Sequence, residues 1–249
     1  MQAIHVLSLK YGFRIIEDAS HAIGGHYRDE PIGNCRYSDI TVFSFHPVKV
    51  VTTGEGGMCV TNDTELADRM KLYRTHGITN TPGQMHPRPV EEIWNYQQID
   101  LGYNYRMTDL EAALGFSQMK RLDEFVAKRH AVARRYNEML QDLPVITPWQ
   151  HPDGYSGMHL YVIRLELEKI RMTQQEVYSS MLERGIGVNL HYIPVYRQPY
   201  YKKMGFQAGY CPVAEEYYHS ALSIPLFPGL EEIQQDRVID TLTSIDKGN

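Results

Sequence analysis

Short apolar runs alternate with stretches of helical period along the first third of the chain. Ile4, Val6, Leu7 and Leu9 stand among polar residues with Gly12 just beyond, the pattern of a helix that a glycine stops. Phe13 to Ile16 and Ile40 to Phe45 are apolar runs of strand length, and they predict buried parallel strands. Gly57 to Thr61 predicts a shorter strand that leaves a glycine turn, and Asp63 to Tyr73 predicts a helix. From 77 to 100 the sequence is rich in Thr, Pro, His and Gly and has no period, so it predicts a long loop near a site or an interface.

The pattern then turns strongly helical. Thr108-x-x-Glu111 offers a capping box, and Leu110, Leu114, Leu122, Phe125, Val132 and Tyr136 form one apolar stripe, which predicts a single helix to about Leu140. Leu143-Pro144 ends it, and the stretch to Gly157 reads as a connection. A β-α-β pattern follows: strand His159 to Leu167, helix Thr173 to Arg184 with Gly185 behind it, strand Val188 to Ile193. Two more helices are predicted near Pro212 to Ala221 and Leu230 to Ile245. The fold class is therefore α/β, with a larger, mainly parallel domain over 1–145 and a small C-terminal α/β domain over 146–249.

Composition narrows the function. With 249 residues and 43% apolar content the chain can bury a large core. A net charge of −5 and the lack of a long Lys or Arg run give no reason to expect nucleic acid or an anionic membrane. No stretch of ~18 apolar residues occurs, and the first ten residues do not read as an export signal. Cys35, Cys59 and Cys211 lie far apart, as in a protein of the reducing cytoplasm rather than a disulfide scaffold or a Cys-x-x-Cys metal site. His21 and His26 have no helical ligand spacing, so no metal site is expected there. Small-molecule chemistry becomes the default.

Candidate chemistry lies at the ends of the two predicted strands. Asp18 closes the first, and Lys49 follows the second within Ser44-Phe-His-Pro-Val-Lys49. In an open α/β sheet ligands bind beyond the carboxyl ends of the strands, so an acid and an amine there can meet one cofactor. Pyridoxal phosphate (PLP) needs that pair: a lysine for the Schiff base and a carboxylate that keeps the pyridine nitrogen protonated. A carboxylate ~4 Å from a ring cation is worth about 4 kcal/mol at an effective dielectric near 20, about 3 pK units in favour of the protonated ring. A desolvated lysine loses its proton more readily, and once displaced by a donor amine it can carry the α-proton. Ser44 offers a hydroxyl to a phosphate. His21 reads either as a group beside the ring or as a satisfied core histidine. Gly54, Gly56 and Gly57 permit a tight turn.

Glu17-Asp-Ala-Ser-His-Ala-Ile-Gly24, Ser44-Phe-His-Pro-Val-Lys49, Thr53-Gly-Glu-Gly-Gly57 and Gly102-Tyr-Asn-Tyr-Arg-Met-Thr-Asp109 resemble, in order and spacing, successive motifs of the DegT/StrS sugar aminotransferases. These are PLP enzymes of aspartate aminotransferase fold type I. The resemblance covers essentially the whole chain and implies the large PLP-binding domain plus the small domain. It implies Lys49 as the Schiff-base lysine, Asp18 as the pyridinium partner, His21 beside the ring, Ser44 on the phosphate, and Asn104 on the phosphate of the opposite subunit of a homodimer, with Arg106 at that shared site. His159, His191 and Tyr192 are implied to line the sugar-nucleotide pocket, or else serve as ordinary strand residues of the small domain. Tyr37 to Lys49 and His191 to Val195 most resemble members that aminate a UDP-linked 4-keto-6-deoxy-N-acetylhexosamine with L-glutamate for pseudaminic acid synthesis. Members of the related 4-amino-arabinose route use the same catalytic set. Family members also carry, ahead of the segment that begins here, roughly another third of the fold. This chain is thus expected to begin inside the fold, and a catalytically silent fragment that acts as an interaction partner is the alternative reading.

Overall fold

The computed structural model describes residues 1–89, 91–93 and 95–246, the last two by backbone alone. Val90 and Trp94 of the expected loop 77–100, and 247–249 of the expected small domain, lie outside the described residues. By its contacts the chain divides into Met1–Leu122 and Asp123–Asn249.

In the first unit, helix α1 (Gln2–Tyr11) ends as its pattern predicts: Gly12 takes φ 72°, and its amide bonds the carbonyl of Ser8. Strand β1 (Ile16–Asp18) pairs in parallel with β2 (Ile40–Ser44), from Ile16 opposite Ile40 to Asp18 opposite Val42. Strand β3 (Gly57–Val60) runs antiparallel to β2 on its other side. β1 starts at Ile16 instead of Phe13, because the Ile15 amide goes to the Asp39 carboxylate (2.8 Å) rather than to a neighbouring strand. Along β2, Thr41 and Phe43 are buried and Ile40, Val42 and Ser44 are half-buried, the period of 2 that a strand imposes.

Helix α2 (Thr64–Arg74) is capped by the Asp63 side chain on the Leu66 amide. Inside the expected loop, Ile78–Thr79 and Gln97–Gln98 pair antiparallel. The chain closes on itself at Gly102, where a Cβ would stand 2.2 Å from the Gly77 nitrogen. The single helix expected from Thr108 to Leu140 is two: α3 (Asp109–Met119), which begins on the capping box of Thr108 and Glu111, and α4 (Leu122–Met139). The stripe misled because its two halves do different work. Leu110 is 85% exposed and Leu114 is exposed, whereas Val126, Val132, Ala133 and Tyr136 of α4 are buried.

The second unit wraps α4 and its neighbours around a four-stranded sheet. Strands β4 (Val145–Ile146), β5 (Tyr161–Leu165), β6 (Asn189–Leu190) and β7 (Ala221–Ile224) lie in the order β6-β7-β5-β4. β5 and β6, joined through helix α5 (Gln174–Glu183), both run antiparallel to β7 and so parallel to each other, with β7 between them. The β-α-β reading therefore holds, but sequence pattern missed the central strand. β7 follows directly on helix α6 (Pro212–Ser220), and four buried residues carry too little period to separate strand from helix end. Helix α7 (Glu232–Asp246) closes the unit. Tyr136, Leu140, Tyr161, Ile163, Val177, Met181 and Leu222 form the centre of the core, so α4 packs with the strands that follow it. The linker composition had put the boundary at 145–146; the contacts divide at 122–123.

Arg129 crosses this core from α4. It is 6% exposed, and its guanidinium Nη1 donates to the carbonyls of Met158 (3.1 Å), His159 (3.1 Å) and Leu226 (2.9 Å). Burial pulls its pKa down to about 10. Replacing Arg129 with Met removes the donor and strands three acceptors in the interior, at a cost of about 3 kcal/mol. Urea unfolding followed by circular dichroism is expected to show that loss, and an unchanged midpoint would contradict it.

Candidate active site

The pairing of β1 with β2 sets the site. Because the two strands are parallel and in register, both end on one side of the sheet, where Asp18 is the last residue of β1 and Ser44 the last of β2. The Ala19 amide bonds the Val42 carbonyl (2.8 Å), which fixes the backbone just behind the carboxylate. Asp18 Oδ1 accepts from the Ser20 amide (3.0 Å) and the Ser20 hydroxyl (2.5 Å). These two bonds hold the carboxyl below the ordinary carboxylate range, helped by the charges of His21 and Lys49. Among the described residues, no hydrogen bond reaches Oδ2.

Lys49 sits in the loop between β2 and β3. Its amide bonds the His46 carbonyl (2.9 Å), and the loop returns to Phe45, whose carbonyl accepts from the Thr53 amide (3.0 Å) and the Thr52 hydroxyl (3.0 Å). The close return needs glycine at Gly57, where a Cβ would stand 2.7 Å from the Phe43 carbonyl oxygen. From α3, the Gln118 Oε1 accepts from the Thr52 amide (3.1 Å). Lys49 is half-buried, and burial lowers its pKa while the Asp18 charge raises it. No ion pair joins Asp18 to Lys49 among the described residues, yet each lies in the field of the other. The acid and the amine thus act on each other's charge without forming an ion pair.

The remaining candidates fall in three places. His21 is exposed and close enough to Asp18 to act on its charge, and Ser44 Oγ accepts weakly from the His46 amide (3.4 Å) at the end of β2. Asn104 and Arg106 are exposed on the segment that leads into α3. That segment is pinned to the end of α2: Asn104 bridges Thr75, and the Tyr105 amide bonds the Arg74 carbonyl (3.0 Å). His159, His191 and Tyr192 belong to the second unit. His159 is buried, His191 is half-buried and its pKa is lowered by that burial, and Tyr192 is exposed. Sequence reasoning passed over Ser20 and Gln118, both of which bond groups of the site. Ser20 stood inside a quoted motif two residues past the acid; Gln118 lies 66 residues from Thr52 and gave no local signal.

A model of the DegT/DnrJ/EryC1/StrS aminotransferase family matches residues 1–243. The chain belongs to that family. It is 38% identical to the Bacillus subtilis spore coat polysaccharide biosynthesis protein SpsC, over 100% of this chain and 64% of SpsC. It is 37% identical to the UDP-4-amino-4,6-dideoxy-N-acetyl-beta-L-altrosamine transaminase of Campylobacter jejuni, over 98% of this chain and 62% of that protein. Among solved structures, Helicobacter pylori PseC, an aminotransferase involved in the biosynthesis of pseudoaminic acid, superposes with a TM-score of 0.87 at 29% identity, covering 100% of this chain and 63% of PseC. The chain therefore spans somewhat less than two thirds of the length of these relatives. Its fold is that of the fold type I PLP-dependent transferases, and PLP is the cofactor of the family.

The electrostatics carry a signed consequence. Burial lowers the Lys49 pKa, so its neutral amine appears at a lower pH than that of an exposed lysine; Asp18→Asn removes the charge that opposes this, and the midpoint moves further down. Competitive acetylation across pH 6 to 11, read by peptide mass spectrometry with Lys71 and Lys128 as references, is expected to show both shifts. A Lys49 midpoint that Asp18→Asn leaves in place would contradict the coupling.

Proposed function

We propose that this chain carries the lysine-bearing part of a PLP-dependent sugar-nucleotide aminotransferase. The substrate is a UDP-linked 4-keto-6-deoxy-N-acetylhexosamine, L-glutamate is the amino donor, and the product is a 4-amino sugar nucleotide for pseudaminic acid synthesis. One observation carries the reading: a carboxylate at the carboxyl end of one strand and a half-buried lysine in the loop beyond its parallel neighbour lie in each other's field with no ion pair between them, in a chain of this family. The C. jejuni relative named above supplies the choice of sugar.

The residues fit the cofactor. Asp18 Oδ2 is available to accept a hydrogen bond from a protonated pyridine nitrogen, because Ser20 has taken Oδ1. Ser20 also keeps the carboxyl ionised, which a partner for a ring cation requires. Lys49 holds the cofactor through Nζ, and its half-buried position favours the neutral amine that this needs. With the donor in place, the freed Nζ would be the base that takes the α-proton and the acid that later returns one to the carbon receiving the amine. His21 stands beside the ring, and the Ser44 hydroxyl and Asn104 of a second copy hold the phosphate. Bound PLP supplies the electron sink and carries the amino group from donor to ketone. Arg106, exposed on the segment that carries Asn104, contacts the sugar nucleotide. The protein works in the cytoplasm as a homodimer with shared sites.

A second reading has an observation of its own. Ile4, Val6, Leu7 and Leu9 of α1 and Leu110 and Phe116 of α3 are exposed apolar residues, more surface than a self-sufficient unit leaves to water. On that reading the chain is an association partner without turnover.

The test is amination of the nucleotide-linked keto sugar, with PLP and glutamate present. Wild type is expected to aminate the UDP-linked 4-keto-6-deoxy-N-acetylhexosamine in preference to a UDP-4-keto pentose or a dTDP-linked 4-keto sugar. Lys49→Ala loses about 10²–10⁴-fold in rate, the usual worth of a positioned proton carrier. Preference for another keto sugar replaces the substrate assignment. An oligomer that neither binds PLP nor converts glutamate establishes the second reading.

A further inference from the structure

We infer that Gln118 is a positioning residue for Lys49, and that α3 is the strut through which it acts. The inference rests on the reading of Lys49 as the cofactor lysine. It starts from how the lysine loop is held. Within the loop, Thr52 is a junction: its hydroxyl donates to the Phe45 carbonyl (3.0 Å) and accepts from the Gly54 amide (2.9 Å), so it closes the segment that carries Lys49. The Thr52 amide is left for a partner elsewhere, and Gln118 supplies it from 66 residues away.

The helix is built to come that close. Gly115, one turn before Gln118, is the buried residue of α3, and a Cβ there would lie 2.6 Å from the Thr53 methyl, nearer than real Cβ contacts come. Thr53 itself is 3% exposed, so the loop has no room to retreat freely. Glycine costs a helix interior roughly 0.5–1 kcal/mol relative to alanine, and here it admits the loop backbone to hydrogen-bonding range of Gln118. At the other end, the Thr108–Glu111 capping box fixes where α3 starts, directly after Asn104 and Arg106. One helix thus joins the segment implied in phosphate and substrate binding to the loop that carries the amine. Gln118 touches neither cofactor nor substrate in this account; it sets where Lys49 stands.

The test reads the amine itself, with and without cofactor. Wild type, Gln118→Met, Gly115→Ala and the control Ser117→Ala, which changes an exposed position of the same helix, are compared by competitive acetylation against Lys71 and Lys128 and by thermal melting. Gln118→Met keeps the length of the side chain and removes its acceptor. Lys49 then leaves its desolvated position, and its labelling midpoint rises, so that neutral amine at pH 7 falls by roughly fivefold, the weight of one hydrogen bond. Gly115→Ala moves the midpoint in the same direction by displacing Thr53, and it decides the matter if Gln118→Met does not fold. Ser117→Ala leaves the midpoint in place. Wild-type midpoints in both Gln118→Met and Gly115→Ala overturn the inference. A parallel arm adds PLP, reduces with borohydride and locates the label by mass spectrometry. If wild type traps no PLP at Lys49 while Gln118→Met still shifts the midpoint, the cofactor reading fails and the positioning stands.

Discussion

The parallel pairing of β1 with β2 is the constraint on which the site depends, because it brings the end of β1 at Asp18 beside the strand that leads into the Lys49 loop, an acid and an amine each in the field of the other. An ordinary surface pair of this kind would close into an ion pair, at little gain in stability. Here the carboxylate is tied back by Ser20, Lys49 is half-buried, and no ion pair forms between the two. Asp18 is exposed and Lys49 half-buried, and no hydrogen bond from a described residue reaches Asp18 Oδ2. That pair is what a planar cationic ring with an aldehyde would use: one side needs a carboxylate, the other an amine that has lost its proton.

The scaffold around that pair is arranged for reach more than for bulk. Parallel pairing of β1 with β2 brings residues 18 and 44 to one end of the sheet, and the Asp39 carboxylate sets where β1 begins by taking the Ile15 amide. Gly57 lets β3 approach the Phe43 carbonyl of β2 closely where the lysine loop ends. Thr52 and Thr53 close it on Phe45, and α3 meets it from outside through Gln118 and Gly115. In the second unit the same economy appears at Arg129, one buried cation that gathers three main-chain carbonyls from segments far apart in sequence.

Features set by local chemistry were legible in the chain. The Gly12 stop, the Thr108 capping box and the start of β2 at Ile40 follow from a few adjacent residues, and the structure has them. The Asp18 position was legible because an apolar run that gives way to polar residues marks a strand end, whereas Lys49 lies in the loop beyond Ser44, the last residue of β2. What escaped was set at a distance. The break between α3 and α4 reflects two different packing partners, one on each side of residue 120, and a stripe cannot report a change of partner. β7 became a strand because β5 and β6 flank it, although its four residues read as the end of a helix. Gln118 acts across 66 residues and carries no motif.

The proton on the pyridine nitrogen is the most direct witness of the central pair. Binding of PLP with ¹⁵N in the ring, followed by nitrogen magnetic resonance, reads that proton without turnover. A protonated nitrogen is expected in wild type at pH 8 and an unprotonated one in Asp18→Asn. A nitrogen in the same state in both proteins would contradict it, because the carboxylate at the end of β1 would then have no hold on the ring.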